Sequence, residues 1–506
     1  MWQKFTFLDL RSIAHYLGVL ITYFSIAYAL PILVAVLFQE WEALVRYLLA
    51  VGTGIVVGTA LRLCRVQPGK LTSQQALVLV GIAWLVLAVL SSFPLYSSGH
   101  YASYLDALFE GVSGLTTTGA SLIVDIEHLS MADNMWRFTM HFIGGLGLAV
   151  VALSLGFMGR GVSGMYGAEG RSEHVVPSVV NTTRLIARIS IVIVMCTALL
   201  LSLFTILGGM EPSRAFFHSL WIAITDFVTG GFAPVSQSIG YYHSFPMECV
   251  SMVIMLLGSL SFALFVAMWK GKTVHFFADF EIKTGFIWLI AVGAIFITSL
   301  IGASLFSDLP ALMRRGVFML IAASTTTGLQ NITGDQLVTM FSSGAFFILA
   351  ILMAVGGSSG STAGGIKLSR IGLVAKSAAS TIKESLSPDS ACVSVTYYHL
   401  GKRILSTQEA KTAMTVSALF IITYLLGSLA GIAHGYDASM AIFEAVAMGS
   451  NGGLTSGIAT QGMPPTLELV YILEMWAGRL EIITLVALIV KVVVSLIPDK
   501  KVELEL

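Results

Sequence analysis

Four short polar turns carry the chemistry this sequence has to offer: Thr117-Thr118-Gly119-Ala120, Thr229-Gly230-Gly231-Phe232, Thr326-Thr327-Gly328-Leu329 and Asn451-Gly452-Gly453-Leu454. Each runs from a small or polar pair to a glycine and then an apolar residue. The chemistry they offer is that of the main chain. Glycine reaches dihedrals that turn successive carbonyl oxygens to one side, and such oxygens can replace part of the hydration shell of a desolvated cation. A side chain there would narrow or redirect the ring.

Ahead of the turns lie apolar segments 105–115, 215–227, 315–324 and 438–448, about ten to thirteen residues each, too short to cross a bilayer at ~1.5 Å per residue. They are expected to re-enter from outside and aim their C-terminal carbonyls, with the negative end of the helix dipole, at the membrane interior. The glycines 119, 231, 328 and 453 are 112, 97 and 125 residues apart, room for two full helices and loops between successive turns. The repeating unit reads helix, half-helix, loop, helix, and four such units can surround one axis. Non-helical backbone at membrane depth is tolerated only where protein or water covers it, so the turns are expected to line a water-filled path.

The rest of the chain fits that setting. Of 506 residues, 56% are hydrophobic and 11% charged, which marks an integral membrane protein. Twenty-eight Lys+Arg balance 28 Asp+Glu, leaving no basic field for nucleic acid. Cys64, Cys196, Cys249 and Cys392 have neither metal-ligand nor redox spacing. No Ser/His/Asp order, Walker loop, dinucleotide fingerprint or His-rich cluster indicates catalysis. Apolar intervals of spanning length occur at 13–39, 47–61, 71–105, 138–159, 189–210, 249–269, 284–307, 336–366, 412–436 and 467–497, ten in all. The first is read as an uncleaved anchor. Cations crowd the segments between alternate spans, while 95–134 and 434–466 have none, so both termini are expected in the cytoplasm. The expected organisation is two N-terminal helices (1–70), repeats at 71–160, 161–275 and 276–380, a cytoplasmic linker (381–411) and a fourth repeat (412–506).

Two features belong below the turns. Residues Gly356, Gly357, Ser358, Ser359, Gly360, Ser361, Thr362, Ala363, Gly364 and Gly365 end an apolar span in a run half of which is glycine, costly inside a helix, so the helix is expected to break into a polar loop that can cover the path. Arg479 lies about twelve residues into the last span, ~18 Å along it and near the middle of a ~30 Å hydrocarbon core. A cation that deep needs partners; carbonyls of loop 356–365 are expected to supply them, with Arg479 holding the loop closed and repelling cations above it. Glu110, Glu444 and His218, at the half-helices, and Asp125, Glu127 and Asp133, in the first outer loop, either draw cations into the vestibule or cap and solvate their segments.

The four turns, together with Phe142-Ile143-Gly144-Gly145-Leu146-Gly147, the 356–367 run ending in Ile366-Lys367, and Gly478-Arg479-Leu480-Glu481, resemble the Trk/Ktr/HKT superfamily of potassium transporters, most closely its pore-forming Trk branch. The resemblance covers nearly the whole chain. It implies an all-α integral membrane protein of ten transmembrane helices, with a pseudo-fourfold pore and an extra N-terminal pair. It implies a potassium filter built from Thr117, Thr118, Gly119, Thr229, Gly230, Gly231, Thr326, Thr327, Gly328, Asn451, Gly452 and Gly453, with potassium at the filter as the only metal and no other cofactor. Glycine at all four key positions implies preference for potassium over sodium. The implied setting is a bacterial inner membrane and a homodimer. A soluble nucleotide-binding regulatory ring is implied to dock on 158–183 and 380–411. The chain departs from the family in the Gly-Gly of turns two and four, and in lacking a basic His-Pro stretch within 381–399. Proton- or sodium-coupled potassium symport, and a less selective monovalent cation channel, are the alternatives.

Overall fold

A computed structural model describes residues 6–64, 71–147, 179–302 apart from 270 and 272, 308–332, 337, and 343–496 apart from 389, 391, 392 and 400. Helices are placed by local rules. Capping boxes start α1 (Phe7–Phe24) at Thr6/Asp9 and α4 (Ser73–Tyr96) at Thr72/Gln75, after α2 (Ala29–Leu37) and α3 (Trp41–Arg62). Helices α1 and α2 run on through a 3-10 turn, Ser25–Tyr28. Helix α3 lies close against α1, because a Cβ on Gly58 would overlap Thr22 Oγ1 and the Gly18 carbonyl. Small residues let two apolar helices approach in the absence of a hydrophobic drive.

From α4 onward one order of elements recurs. A long helix is followed by a short one, then a turn, then a second helix. The first round is α4, α5 (Tyr104–Thr116) and α6 (Met131–Leu146). The second is α7 (Val179–Leu207), α8 (Pro212–Phe227), α9 (Phe245–Gly258) and α10 (Phe262–Trp269). After α11 (Thr273–Ala278) come α12 (Phe280–Gly302), α13 (Leu309–Ser324), α14 (Ser343–Ala354), a loop and α15 (Leu368–Ser385). A two-stranded antiparallel hairpin, β1 (Thr396–Tyr398) and β2 (Lys402–Ile404), precedes the last round: α16 (Thr407–Ala433), α17 (Ala438–Gly449), α18 (Pro465–Arg479) and α19 (Ile483–Leu496). The short helices have 13, 16, 16 and 12 residues, and the long ones 24, 29, 23 and 27.

Six described helices are long and apolar enough to cross a membrane, seven if the bent pair α9 and α10 counts as one. The expected spans 138–159, 249–269 and 467–497 are not continuous helices, and 336–366 breaks where the sequence predicts a loop. The interval 249–269 bends by 102° between α9 and α10. The interval 467–497 breaks after Arg479, where Glu481 has φ 55°. In the third round α14 ends at Ala354, before loop 356–365. Helix α6 also ends early, at Leu146, with Gly147 at φ 88°. Gly147, Ser259, Gly356 and Glu481, which mark these interruptions, each stand 28 residues after a turn glycine. Glycine explains much of the common depth: a Cβ on Gly144, Gly258 or Gly478 would strike the carbonyl of Leu115, Phe227 or Gly449, each at the C-terminal end of a short helix.

Candidate functional site

The four turns close in the same way. The backbone N–H of Thr118 donates to Ser113 O at 2.9 Å, Gly230 to Thr225 O at 2.8 Å, Thr327 to Ala322 O at 2.9 Å and Gly452 to Ala447 O at 2.7 Å. Each bond spans five residues, a Schellman-type closure of a helix end. The residue before each donor is left-handed: Thr117 (φ 56°), Thr229 (50°), Thr326 (52°) and Asn451 (55°). The residue after it is a glycine at positive φ: Gly119 (84°), Gly231 (85°), Gly328 (82°) and Gly453 (67°). A left-handed threonine costs on the order of 1–2 kcal/mol, and here the cost is met three times in one structure.

The turns also meet one another in a closed cycle. A Cβ on Gly119 would overlap Gly230 O; one on Gly231 would overlap Thr327 O; one on Gly328, Gly452 O; and one on Gly453, Thr118 O. Each glycine thus abuts the carbonyl of the residue preceding the next glycine, and the fourth returns to the first. Asn451 Nδ2 reinforces the last junction, donating to Thr118 Oγ1 at 2.9 Å and to Met475 O at 2.9 Å.

Glu110 and Glu444 brace the chain as it leaves the ring. Both are fully buried. Glu110 accepts from Leu122 N (3.3 Å) and Ser121 Oγ (3.1 Å); Glu444, at the matching place, accepts from Ser456 N (2.6 Å) and Thr455 Oγ1 (3.0 Å). Of the two roles open to these carboxylates, drawing cations or capping their segments, these bonds are of the capping kind. Ile222 and Met319 occupy the corresponding positions of the second and third rounds. Glu110 is also ion-paired with Arg137 at 2.8 Å, both side chains with no exposure, and Arg137 lies over the Phe232 ring at 4.2 Å. Beside it, His141 Nδ1 meets Gly114 O at 2.7 Å while Nε2 accepts from Phe232 N at 3.2 Å, which puts the proton on Nδ1. The sequence reading missed Arg137 and His141; the one visible sign was a cation at the very edge of an apolar interval.

The remaining outer candidates divide. Asp133 belongs to the first turn of α6, buried against Arg46 Nη2 (2.8 Å) and Tyr47 Oη (2.7 Å), and so is a structural partner. His218 is buried, with Nδ1 2.9 Å from Tyr242 Oη. Glu127 accepts from Ser236 N at 2.8 Å. Asp125 is exposed and paired with His128 at 2.7 Å; the pairing holds the aspartate below its ordinary range and raises the histidine.

Beneath the ring, loop 356–365 touches three of the four rounds directly. Thr362 Oγ1 donates to Gly258 O (2.8 Å) and Phe227 O (3.1 Å), Ser358 N to Ser259 O (2.9 Å), and Gly364 N to Thr326 Oγ1 (2.8 Å); a Cβ on Gly364 would overlap Ser450 O. Arg479 supplies the link to the first round. Its Nη1 donates to Thr362 O at 3.0 Å and Thr117 Oγ1 at 3.2 Å, and its Nη2 donates to Gly145 O at 3.1 Å and to Gly144 O. Glu481 pairs instead with Arg370 of α15. The basic stretch expected to dock a partner at 158–183 lies outside the described residues up to 178.

Long apolar helices, and short helices whose glycine turns meet in a ring, define a multi-pass membrane protein. Residues 47–495 match the TrkH family, described as cation transport protein, and the chain belongs to that family. It is 31% identical over 481 residues to an uncharacterized cation transporter of Methanocaldococcus jannaschii, covering 95% of each chain. It is 31% identical over 499 residues to the Trk system potassium uptake protein TrkH of Halomonas elongata, covering 95% of this chain and 98% of the relative. The crystal structure of the potassium transporter TrkH from Vibrio parahaemolyticus is similar throughout, with a TM-score of 0.80 and 25% identity over 95% of this chain and 98% of that one.

Proposed function

We propose that this protein takes up potassium across the cytoplasmic membrane through a pore whose selectivity filter is the ring of four turns. The observation that carries the reading is the closed cycle of glycine-to-carbonyl contacts from Gly119 through Gly231, Gly328 and Gly453. Four strands of main chain packed edge to edge around one axis offer oxygens from every side, and the short helices behind them add four partial negative charges. Loop 356–365 is the gate. Arg479 pins it to the first round through Thr362 and stands as a positive charge in the path. The cationic segments face the cytoplasm, the protein works as a homodimer, and linker 381–411 meets a cytoplasmic nucleotide-binding subunit. The relatives named for potassium uptake support the choice of ion.

The test is ion competition in proteoliposomes. Potassium and rubidium are expected to enter and to displace each other, with sodium and lithium at least tenfold weaker. Equal entry of all four ions overturns the filter, and uptake that requires an imposed proton or sodium gradient overturns the passive pore in favour of coupled transport.

A further inference from the structure

Asp279, Glu281 and His399 lie up to 120 residues apart in sequence and meet inside the protein. All three are buried, and one ligand atom from each lies within 4.8 Å of the others. They come from two pieces of chain: Asp279 and Glu281 from the link between α11 and α12 and the first turn of α12, and His399 from the tip of the hairpin. Their orientation is fixed by contacts within the group and around it. Asp279 Oδ1 accepts from Glu281 N at 2.9 Å, and Asp279 Oδ2 lies 2.9 Å from His399 Nδ1. His399 N donates to Gly401 O at 2.8 Å, and the Phe280 ring meets the imidazole edge-on at 5.8 Å. Glu281 Oε2 accepts from Ser359 N, in the loop beneath the ring, at 3.2 Å.

Two carboxylates and an imidazole gathered away from water form a charge-rich group that a bound cation would stabilise. The donor set is one nitrogen and two carboxylates. Hard cations such as Mg2+ and Ca2+ favour all-oxygen shells, whereas imidazole with carboxylate suits Zn2+, Mn2+ and Fe2+. Ligands at ~2.0–2.2 Å from one ion lie roughly 3–3.5 Å from one another; Asp279 and His399 already approach that closely, and the group, within 4.8 Å throughout, closes on an ion by small side-chain rotations. A cavity lined by Phe276, Glu281, Ile282, Gly285, Ser358 and Leu368 opens beside Glu281 and gives an entry route.

We propose that Asp279, Glu281 and His399 bind one divalent transition-metal ion, of the Zn2+ or Mn2+ class, which fastens the linker hairpin Thr396–Ile404 to the start of α12. Through Glu281 the same ion borders loop 356–365. The site is separate from the potassium path and stands whether or not that loop is the gate.

Full-length protein, with its affinity tag removed and metal stripped by EDTA, is dialysed against Zn2+, Mn2+ or Co2+, and bound metal is measured by mass spectrometry. One ion per chain is expected, with a Co2+ absorption band showing nitrogen and oxygen ligation. Asp279→Asn and His399→Gln are expected to weaken binding at least tenfold. His399→Cys should restore Zn2+ and Co2+ binding with a thiolate charge-transfer band, a gain that a misfolded variant cannot give. Hydrogen exchange in 396–404 should slow when metal is added to the wild type. No uptake by the wild type, uptake unchanged in Asp279→Asn and His399→Gln (an adventitious ion only), or binding that leaves hairpin exchange unaltered would each overturn the proposal.

Discussion

The ring of turns and the level 28 residues further along each round contrast sharply. At the ring, four segments adopt one geometry: a left-handed residue, a donor closing on the fifth residue back, then a glycine at positive φ. At the lower level the same four rounds do four different things. One stops at Gly147, one bends by 102°, one opens into loop 356–365 and one kinks at Glu481 before helix resumes. Identical geometry is needed where four strands must face one small ligand together. Below that point a single round can be reshaped without disturbing the others, and in the proposed pore that asymmetry lets one loop and one arginine close a path built by four.

If the ring is the rigid half of this contrast, removing its support should have the largest effect. Replacing Arg137 by Ala strands Glu110 without its charge partner in a dry interior, and breaking such a pair costs on the order of 3–5 kcal/mol. A sharply lowered melting temperature and loss of rubidium uptake are expected, whereas Glu110→Gln with Arg137→Met should recover much of the stability. A melt unchanged in Arg137→Ala would mean that the clamp does not hold the ring. Next comes the ring itself. Gly328→Ser places a Cβ against Gly452 O at a φ of 82°, which costs about 1–3 kcal/mol in backbone strain alone. Selectivity for potassium over sodium should fall at least tenfold; selectivity preserved in this variant would separate ion choice from the ring.

The contrast also explains what the sequence made legible. Four Gly-containing turns behind four short apolar segments are readable because each is local: a helix too short to span and the residue types that end it. The break at 356–365 is readable for the same reason, since a run that is half glycine is costly inside a helix. The bends at Ser259 and Glu481 escaped because their cause is not local. Gly258 and Gly478 look ordinary in an apolar run, and only the approach of the Phe227 and Gly449 carbonyls gives them meaning. The partners of Glu110 and the meeting of Asp279 with His399 depend on contacts across 27 and 120 residues, which charge spacing does not encode.

The lower level should respond more gently than the ring. Arg479→Ala removes donors to Thr362, Thr117, Gly144 and Gly145 at once, and frees the loop from the first round. Rubidium flux without any cytoplasmic partner should rise about fivefold, roughly 1 kcal/mol of closure, with ion preference retained. Arg479→Lys should fall between, because an ammonium cannot span both sides as a planar guanidinium does. Excision of 357–364 should match Arg479→Ala. Raised flux accompanied by lost selectivity would show that ring and gate are one device, contrary to the division drawn above.

The smallest effect belongs to the outer loop, where charge acts through water. Asp125 and Glu127 sit beside the entrance segment and can raise the local cation concentration only over about one Debye length, ~10 Å at 0.1 M salt. Joint Asp125→Asn and Glu127→Gln substitution should lower rubidium uptake less than about twofold, at low salt and subsaturating ion, and leave the saturated rate alone. The His128 partnership gives this a pH sign. Pairing raises the histidine above its ordinary range and lowers Asp125, so the ion pair exists between the two and is lost as pH rises through the raised histidine value or falls through the lowered aspartate value. Below the histidine value the imidazolium cancels the Asp125 charge; above it the carboxylate is uncompensated. Low-salt uptake should therefore increase modestly as pH passes upward through the His128 midpoint, read independently by NMR, and His128→Ala should abolish the step. A step of equal size in His128→Ala would assign it to another group and leave the entrance loop without a role in gathering ions.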